Sequence, residues 1–468
     1  GRTRTARSRS PRTHTAHAER KIEQEKQLST DQSETPKGLQ VDDAVAAEFD
    51  KATAYKLTDE DIERARILIG HNTANRYQEL NSVATPDAIR NWALGVGDDN
   101  PLFTEEAGYG AGTRWGSQIA HGTQVGHIKT PMLGDPIPDE VKKATKSVFR
   151  GVHVFVSGGS WEWFRPMYPG DRIFTYSGEE SLQVKQSEFA NRSVVKVRRD
   201  VAMNQHGDVV GIYRILSILT ERDTARKKGK YAEIEAAKYT DEDYERIDAI
   251  YAQEKPRGAD KRWWDDVNVG DQFNPMVKGP LTVTEQIAFH AGGYGFVPYG
   301  LRAGRVGYQN RKRIAPFYVK NAQGIWDVAQ RLHWDSEWAK AIGNPMAYDY
   351  GVQRQCWFWH YLSDWAGDDA IVLKMDDSIR KFNYMGDTTF LSGEVVDKRV
   401  EPNGQTVVDV RMRMVNQRDT ETAYGSATIA LPSKDRGLPI YPSVPDDIRQ
   451  EAAKMYARHN ELSAKKRG

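Results

Sequence analysis

The stretch FRPMYPGDRIF (164–174) is answered about 216 residues later by RKFNYMGDTTF (380–390). Tyr168, Gly170 and Asp171 fall opposite Tyr384, Gly386 and Asp387. Further on, Asn204-Gln205 falls opposite Asn416-Gln417, each inside a strand-like stretch. A repeat of this length is a duplicated domain rather than a solenoid unit. Two copies of one fold can pack as a dimer fused into one chain, and each copy can then keep or lose an active site.

Outward from the repeated stretch, residues 146–220 alternate strand-like runs with turn residues, and 370–432 keep the same rhythm. Ahead of each sheet lies a helix-bearing part. TDEDIERARILIG (58–70) and TDEDYERIDAIYA (240–252) open on Thr and an acidic first turn, as helix starts do. Thr85-Pro86-Asp87 opens a further short helix that carries Ile89, Trp92 and Ala93. Gly122, in IAHGTQVGHI, and Gly351, in YDYGVQRQCWFWHYLSDW, are each expected to open a central helix. An antiparallel sheet wrapped round one helix is a hot-dog arrangement, so the fold class is α+β, a tandem hot-dog. The expected segments are a tail over 1–45, a first domain over 57–221 and a helical connector over 222–262. A second domain over 263–435 and a tail over 436–468 complete the chain.

Composition bounds the function. The 468 residues suffice for two domains of ordinary size. A net charge of +1 gives no electrostatic reason to expect a nucleic-acid or membrane partner. The single cysteine, Cys356, permits neither an intramolecular disulfide nor a cysteine-based metal site, which fits a reducing, cytoplasmic setting. No run of about 18 apolar residues marks a membrane span. The Arg/Ser/Thr-rich first forty residues, GRTRTARSRSPRTHTAHAER onward, cannot build a core and are expected to be a tail; a transit peptide or nucleic-acid arm is the alternative. The last dozen residues read as a frayed basic end.

Two stretches carry chemistry: GVGDDNPLFTEEAGYGAGTRWGSQIAHGT (95–123) and LHWDSEWAKAIGNPMAYDYG (332–351). Here the chain resembles the MaoC-like acyl-CoA dehydratases and (R)-specific enoyl-CoA hydratases, in their double-hot-dog form with a dehydratase-type N-terminal domain. The resemblance spans roughly residues 60–435. The family motif is Gly-Asp-x-Asn-Pro-Leu-His followed by Ile-Ala-His-Gly. Copy one matches at Gly97, Asp98, Asn100, Pro101 and Leu102, places Phe103 where His is expected, and matches again at Ile119-Ala120-His121-Gly122. Copy two offers His333 with Asp335 two residues on, but lacks the preceding Asp; its corresponding stretch is FHAGGYG, followed by an insertion of roughly 35 residues. The similar spacings from Phe103 to Gly122 and from His333 to Gly351 support the pairing.

The resemblance implies a hydro-lyase (EC 4.2.1.-) that reversibly adds water to a 2-enoyl-CoA, with no metal and no cofactor beyond the CoA of the substrate. That reaction needs a group to take the water proton, an acid for C2 and a donor for the enolate oxygen. The active site is therefore expected in copy two. His333 would do the acid/base work, Asp335 or Asp349 would supply the carboxylate, and the Gly351 amide would receive the thioester oxygen. Asp98 is read mainly as a retained turn residue. Arg354, Tyr348, Tyr350, Trp357 and Arg305 are candidates for substrate contact. The remaining basic residues of the 295–330 insertion, Arg302, Arg311, Lys312 and Arg313, form either a solvated surface or a contact for CoA phosphates. His360 and Trp263-Trp264, Trp359 and Trp365 read as core or pocket lining. HAGGYG lacks the setting of a phosphate loop. A hot-dog thioesterase and a non-catalytic acyl-CoA-binding partner subunit stand as alternatives, and a homodimer of fused chains is the expected assembly.

Overall fold

The computed structural model describes residues 56–77, 80–149, 152–187, 191–220, 234–295, 301–321, 323–341 and 344–467. The expected tail over 1–45 and the start of the connector lie outside the described residues. In chain order the helices are α1 (Asp59–Arg66), α2 (Pro86–Val96), α3 (Pro101–Thr104), α4 (Asp139–Ala144), α5 (Asp241–Tyr251), α6 (Val283–Gly292), α7 (Gly304–Arg313), α8 (Ser336–Ala341), α9 (Gly351–Ala366) and α10 (Asp446–Arg467). The strands are β1 (Thr73–Ala74), β2 (His153–Trp163), β3 (Phe174–Ser187), β4 (Asn191–Met203), β5 (Val209–Thr220), β6 (Met276–Lys278), β7 (Tyr318–Lys320), β8 (Trp326–Val328), β9 (Ile371–Ile379), β10 (Thr389–Val400), β11 (Thr406–Asn416) and β12 (Glu421–Ala430).

Ten strands form one sheet in the order β1-β3-β4-β5-β2-β9-β12-β11-β10-β6. The order of one half is the mirror of the other, and β2 pairs antiparallel with β9 at the seam, with Ser160 opposite Asp376. The expected α+β tandem of antiparallel sheets is present. Its two halves share a single core that runs from Ile89 and Trp163 to Val408 and Ile429.

The repeated turn is duplicated bond for bond. Tyr168 N–H donates to Asp171 Oδ2 at 2.8 Å, and Tyr384 N–H donates to Asp387 Oδ2 at 3.0 Å. Gln205 Nε2 donates to Asp171 Oδ1 at 3.0 Å, and Gln417 Nε2 donates to Asp387 Oδ1 at 2.9 Å. Gly170 and Gly386 hold φ of 94° and 87°, a left-handed conformation that costs glycine nothing. The Gly170 amide donates to Ala84 O and the Gly386 amide to Leu281 O, so each turn holds the residue just ahead of a helix N-cap. Those caps are Thr85 for α2 and Thr282 for α6.

The two capped helices cross at Gly95 and Gly292. A Cβ at Gly95 would lie 3.0 Å from the Gly292 Cα and from the Ala288 carbonyl, so the absence of side chains is what allows the approach. Thr58 and Thr240 cap α1 and α5 as expected.

Two expectations fail. Gly122 opens only a five-residue 3-10 turn, Gly122–Gly126, rather than a central helix. Beyond it the chain is drawn out: Thr130 N–H donates to Ile173 O and Met132 N–H to Asn75 O, and Pro131, Pro136 and Pro138 disfavour a helix. Among the described residues the long central helix exists once, as α9, which packs against β2, β9, β12 and the Gly122 turn. The C-terminal residues are not a frayed tail but the end of α10. Its Ile448 and Ala452 bury against Met132, Phe174, Tyr176 and Val201 of the first repeat.

Candidate active site between the repeats

Equivalent backbone hydrogen bonds align the two repeats at their sites. Asp98 N–H donates to Ala93 O just past α2, and Tyr294 N–H donates to Phe289 O just past α6. Ala120 N–H donates to Met167 O, and Asp349 N–H donates to Asn383 O. Asp98 thus matches Tyr294, and His121 matches Tyr350. Phe103 and His333 complete the sets, each with its ring near the latter residue, at 5.9 Å from His121 and 3.7 Å from Tyr350.

In the second repeat the predicted residues are brought near one another and spent on neutral hydrogen bonds and internal pairs. His333 Nδ1 faces Tyr348 O at 2.8 Å, and burial pushes the imidazole down to about 3. Gln330 Nε2 donates to the Tyr350 hydroxyl, which faces His290 Nε2 at 2.9 Å. Asp349 is gripped by Arg354 through two bonds of 2.6 Å and receives Asn383 Nδ2 at 3.3 Å. Arg354 is itself buried and also donates to Lys381 O, so it is an internal partner rather than a phosphate contact. Asp335 accepts from Trp338 N–H at the start of α8 and pairs with Arg331. Gly351 is packed against Val156 and Ile379. Trp357 is in the core, Tyr348 lies against Phe382, and Arg305 is exposed on α7. Arg311 of the insertion lies over the Trp326 ring.

The first repeat is arranged differently. Gly97, at φ 79°, ends α2 and turns Asp98 inward. Asp98 Oδ1 accepts from Asn100 N–H at 3.0 Å, the turn duty expected of it, while Oδ2 has no hydrogen-bond partner and is fully buried. Oδ2 faces His121 Nε2, likewise buried and unpaired, at 3.8 Å. Oδ1 faces His360 Nε2 of α9 at 3.7 Å. His360 Nε2 also faces Asp364 Oδ2 at 3.2 Å and Glu254 Oε1 at 3.8 Å.

Lys278 Nζ donates to Gly97 O at 3.3 Å, to Glu254 Oε1 at 3.0 Å and lies 3.0 Å from His360 Nδ1. An ammonium has only protons to offer, so His360 Nδ1 accepts and the neutral ring carries its proton on Nε2. The set Asp98, His360 and Asp364 has its ligand atoms within 4.8 Å of one another, as a cation site would. The protonated Nε2 has no lone pair for a metal, so these residues do not fit one while Lys278 is in place.

Three carboxylates share one ammonium in this buried space. Burial therefore raises Asp98 to about 6 and Asp364 to about 7, and it lowers His360 to about 4. Burial also holds His121 well below its usual value.

A cleft of about 700 Å³, solvent-open space included, adjoins this cluster. Its walls include Phe103, His121, Gly122 and Trp163 from the first repeat, and Trp359 and Asp368 from the second. Trp359 lies over Gly122, with its ring 4.2 Å from His121 and an unpaired indole N–H.

Residues 68–212 match the family model described as the FAS1-like dehydratase domain region. The matched stretch lies within the first repeat. The motif resemblance and the family match meet on the same segment, Gly97 to Gly122. No curated protein sequence matches the chain. Among solved structures, a MaoC-like dehydratase is similar at 16% identity and a TM-score of 0.49, over 79% of this chain and 99% of that one. A MaoC-like dehydratase of Phytophthora capsici is similar at 11% identity and 0.43, over 80% and 98%. A MaoC domain protein of Chloroflexus aurantiacus is similar at 14% identity and 0.42, over 78% and 96%. No helix among the described residues is long and apolar enough to cross a membrane.

Sequence reasoning passes over Lys278, Glu254 and Asp364 and reads His360 as a core histidine. One signal is available: His360 and Asp364 are four apart on a helix, the spacing that puts two side chains on one face.

Proposed function

We propose that the protein reversibly adds water to a 2-enoyl-CoA to give a 3-hydroxyacyl-CoA, with Asp98 and His121 of the dehydratase repeat as the reacting pair. The observation that carries this reading is the separation of two buried, unpaired atoms, Asp98 Oδ2 and His121 Nε2, by 3.8 Å. An oxygen about 2.8 Å from each would complete both hydrogen bonds, as a water or a substrate hydroxyl would. In hydration the water oxygen bonds to C3, the pair takes one water proton, and one proton is returned to C2. The reverse transfers expel water. Asp98, raised to about 6, sits where a group must both hold and release a proton near neutrality. Trp359, a residue of the cleft wall, has an unpaired N–H, a donor of the kind the enolate oxygen needs. The aromatic walls suit an acyl chain.

The test is loss of the enoyl-thioester absorbance over a panel of short, branched, aromatic and polycyclic enoyl-CoAs, with a thiol reagent in parallel. Asp98→Asn and His121→Gln should each lower turnover by about 10²–10⁴. Full turnover in both variants would overturn the assignment. Loss in His333→Ala with Asp98→Asn unaffected would move the site to the second repeat. Release of free thiol would make the protein a thioesterase.

A further inference from the structure

We propose that His360, supplied by the second repeat, is the positioning and proton-holding partner of Asp98, so that the site is complete only across the two repeats. As a statement about turnover this rests on the reading of Asp98 given above. As a statement about proton coupling it does not.

The first repeat lacks one proton carrier. Phe103, only 2% exposed, occupies the place where the motif has His, and its ring packs on Trp359 at 5.5 Å. The aromatic ring can neither give nor take a proton. At the other carboxyl oxygen from His121, α9 of the second repeat delivers an imidazole 3.7 Å from Asp98 Oδ1.

The proton on that imidazole is placed by the fold. Lys278 of β6 holds Nδ1 as an acceptor, and its other two protons go to Glu254 and Gly97 O. Gly97 is the residue that turns Asp98 inward. One ammonium therefore fixes both the backbone before Asp98 and the tautomer of His360. The Nε2–H is left among Asp98, Asp364 and Glu254, at 3.2 to 3.8 Å, without an aligned hydrogen bond.

The cluster is also under-satisfied. Asp98 Oδ2, His121 Nε2, His360 Nε2, both Asp364 oxygens and Glu254 Oε2 are buried without hydrogen bonds. Each such atom costs about 1–3 kcal/mol in an ordinary interior, and such groups are rare in folds that have no use for them. A single orphaned atom is within the range of ordinary packing; six in one cluster describe a place where protons move between partners.

The groups facing Asp98 come from every element around it. They are His121 from the Gly122 turn, His360 and Asp364 from α9 and Lys278 from β6, while Glu254 after α5 and Asp99 act on His360. The His360 Nε2–H and the Lys278 ammonium favour its charged form, and Asp364 opposes it. Their removal must therefore move the Asp98 titration in opposite senses.

The experiment tracks the carboxyl stretching band of the full-length protein by infrared spectroscopy from about pH 4 to 9, a range that spans the perturbed carboxyl values. Asp98→Asn identifies the band. His360→Met removes the N–H that faces Asp98 while keeping much of the side-chain bulk. The Asp98 midpoint should rise in His360→Met and Lys278→Met and fall in Asp364→Asn. An unchanged midpoint in His360→Met overturns the proposal. If that variant does not fold, as judged by far-ultraviolet circular dichroism, Asp364→Asn decides: a downward shift supports the coupling and no shift overturns it.

With a turned-over enoyl-CoA, His360→Met should lower kcat by about 10²-fold and raise the acid limb of the pH profile with the infrared midpoint. A kcat and pH profile like those of the wild type would remove the catalytic part. Should no enoyl-CoA be hydrated, the proposed reaction fails alone, because the infrared titration needs no substrate.

Discussion

Asp98 Oδ1 and His360 Nε2 lie 3.7 Å apart, although one belongs to the loop after α2 and the other to the central helix of the opposite repeat. The fused arrangement makes this meeting possible. Only one repeat builds a full central helix, and its side chains reach across the seam to Gly122, His121 and Asp98. The other set of equivalent positions, Tyr294, His333 and Tyr350, closes on itself through an edge-on contact of Tyr294 with Tyr350 and a tilted contact of His333 with Tyr350.

Asp98→Asn should make the protein more stable at neutral pH. The folded-state carboxyl titrates at about 6, above its unfolded value of 3.8. The folded state then binds the proton more tightly, and wild-type stability falls as pH rises through the interval between those values. Asparagine does not titrate there. The variant should gain on the order of 1–3 kcal/mol at pH 7 and nothing below about pH 4. Urea unfolding at the two pH values measures the difference; a variant less stable than wild type at pH 7 would contradict the burial argument.

Gly122→Ala should loosen the cleft wall. The new Cβ would lie 2.4 Å from Trp359 Nε1, so the indole must move. Overpacking of this kind costs about 1–3 kcal/mol. A shift in tryptophan emission together with a lower unfolding midpoint is the expected pair of results.

Arg354→Met should be among the most damaging single changes. It leaves the fully buried Asp349 carboxylate without either 2.6 Å bond, and breaking one partner of a buried pair costs about 3–5 kcal/mol. Arg354→Met combined with Asp349→Leu should recover much of that loss, because no charge is then stranded. Denaturant midpoints of the two variants test this.

Asp171→Ala and Asp387→Ala strike the same turn in each repeat. Both strand a backbone N–H and a glutamine amide, at a cost of about 1–3 kcal/mol. Asp387 also pairs with Arg418 at 2.7 Å and is more deeply buried, so its loss should be the larger of the two. Equal midpoints would show that the extra pair contributes nothing.

Local chemistry is readable wherever a residue acts on its neighbours in the chain. The Tyr-x-Gly-Asp turn, the Thr caps and the strand rhythm all depend on bonds within a few residues, and they recur in the structure at the expected places. The fate of the chain after Gly122 is not readable from its glycine, because a helix start signal carries no information about the residues beyond it. The prolines at 131, 136 and 138 and the pairing of Thr130 to the sheet decide against a helix there. The role of His360 is hidden for a related reason: a histidine on an aromatic helix carries no mark of the carboxylate it will meet.

The sequence by itself determined that the chain is a duplicated hot-dog, that its turns are twofold copies, and that each motif is broken, because periodicity and short-range hydrogen bonds are written in adjacent residues. Only the tertiary structure decided which groups share a site. Pairing β2 with β9 places one helix beneath both halves, and that single packing choice brings His360, Asp364 and Lys278 of the second repeat to Asp98 of the first. Proximity across a seam depends on how two surfaces close, and no spacing along the chain encodes it.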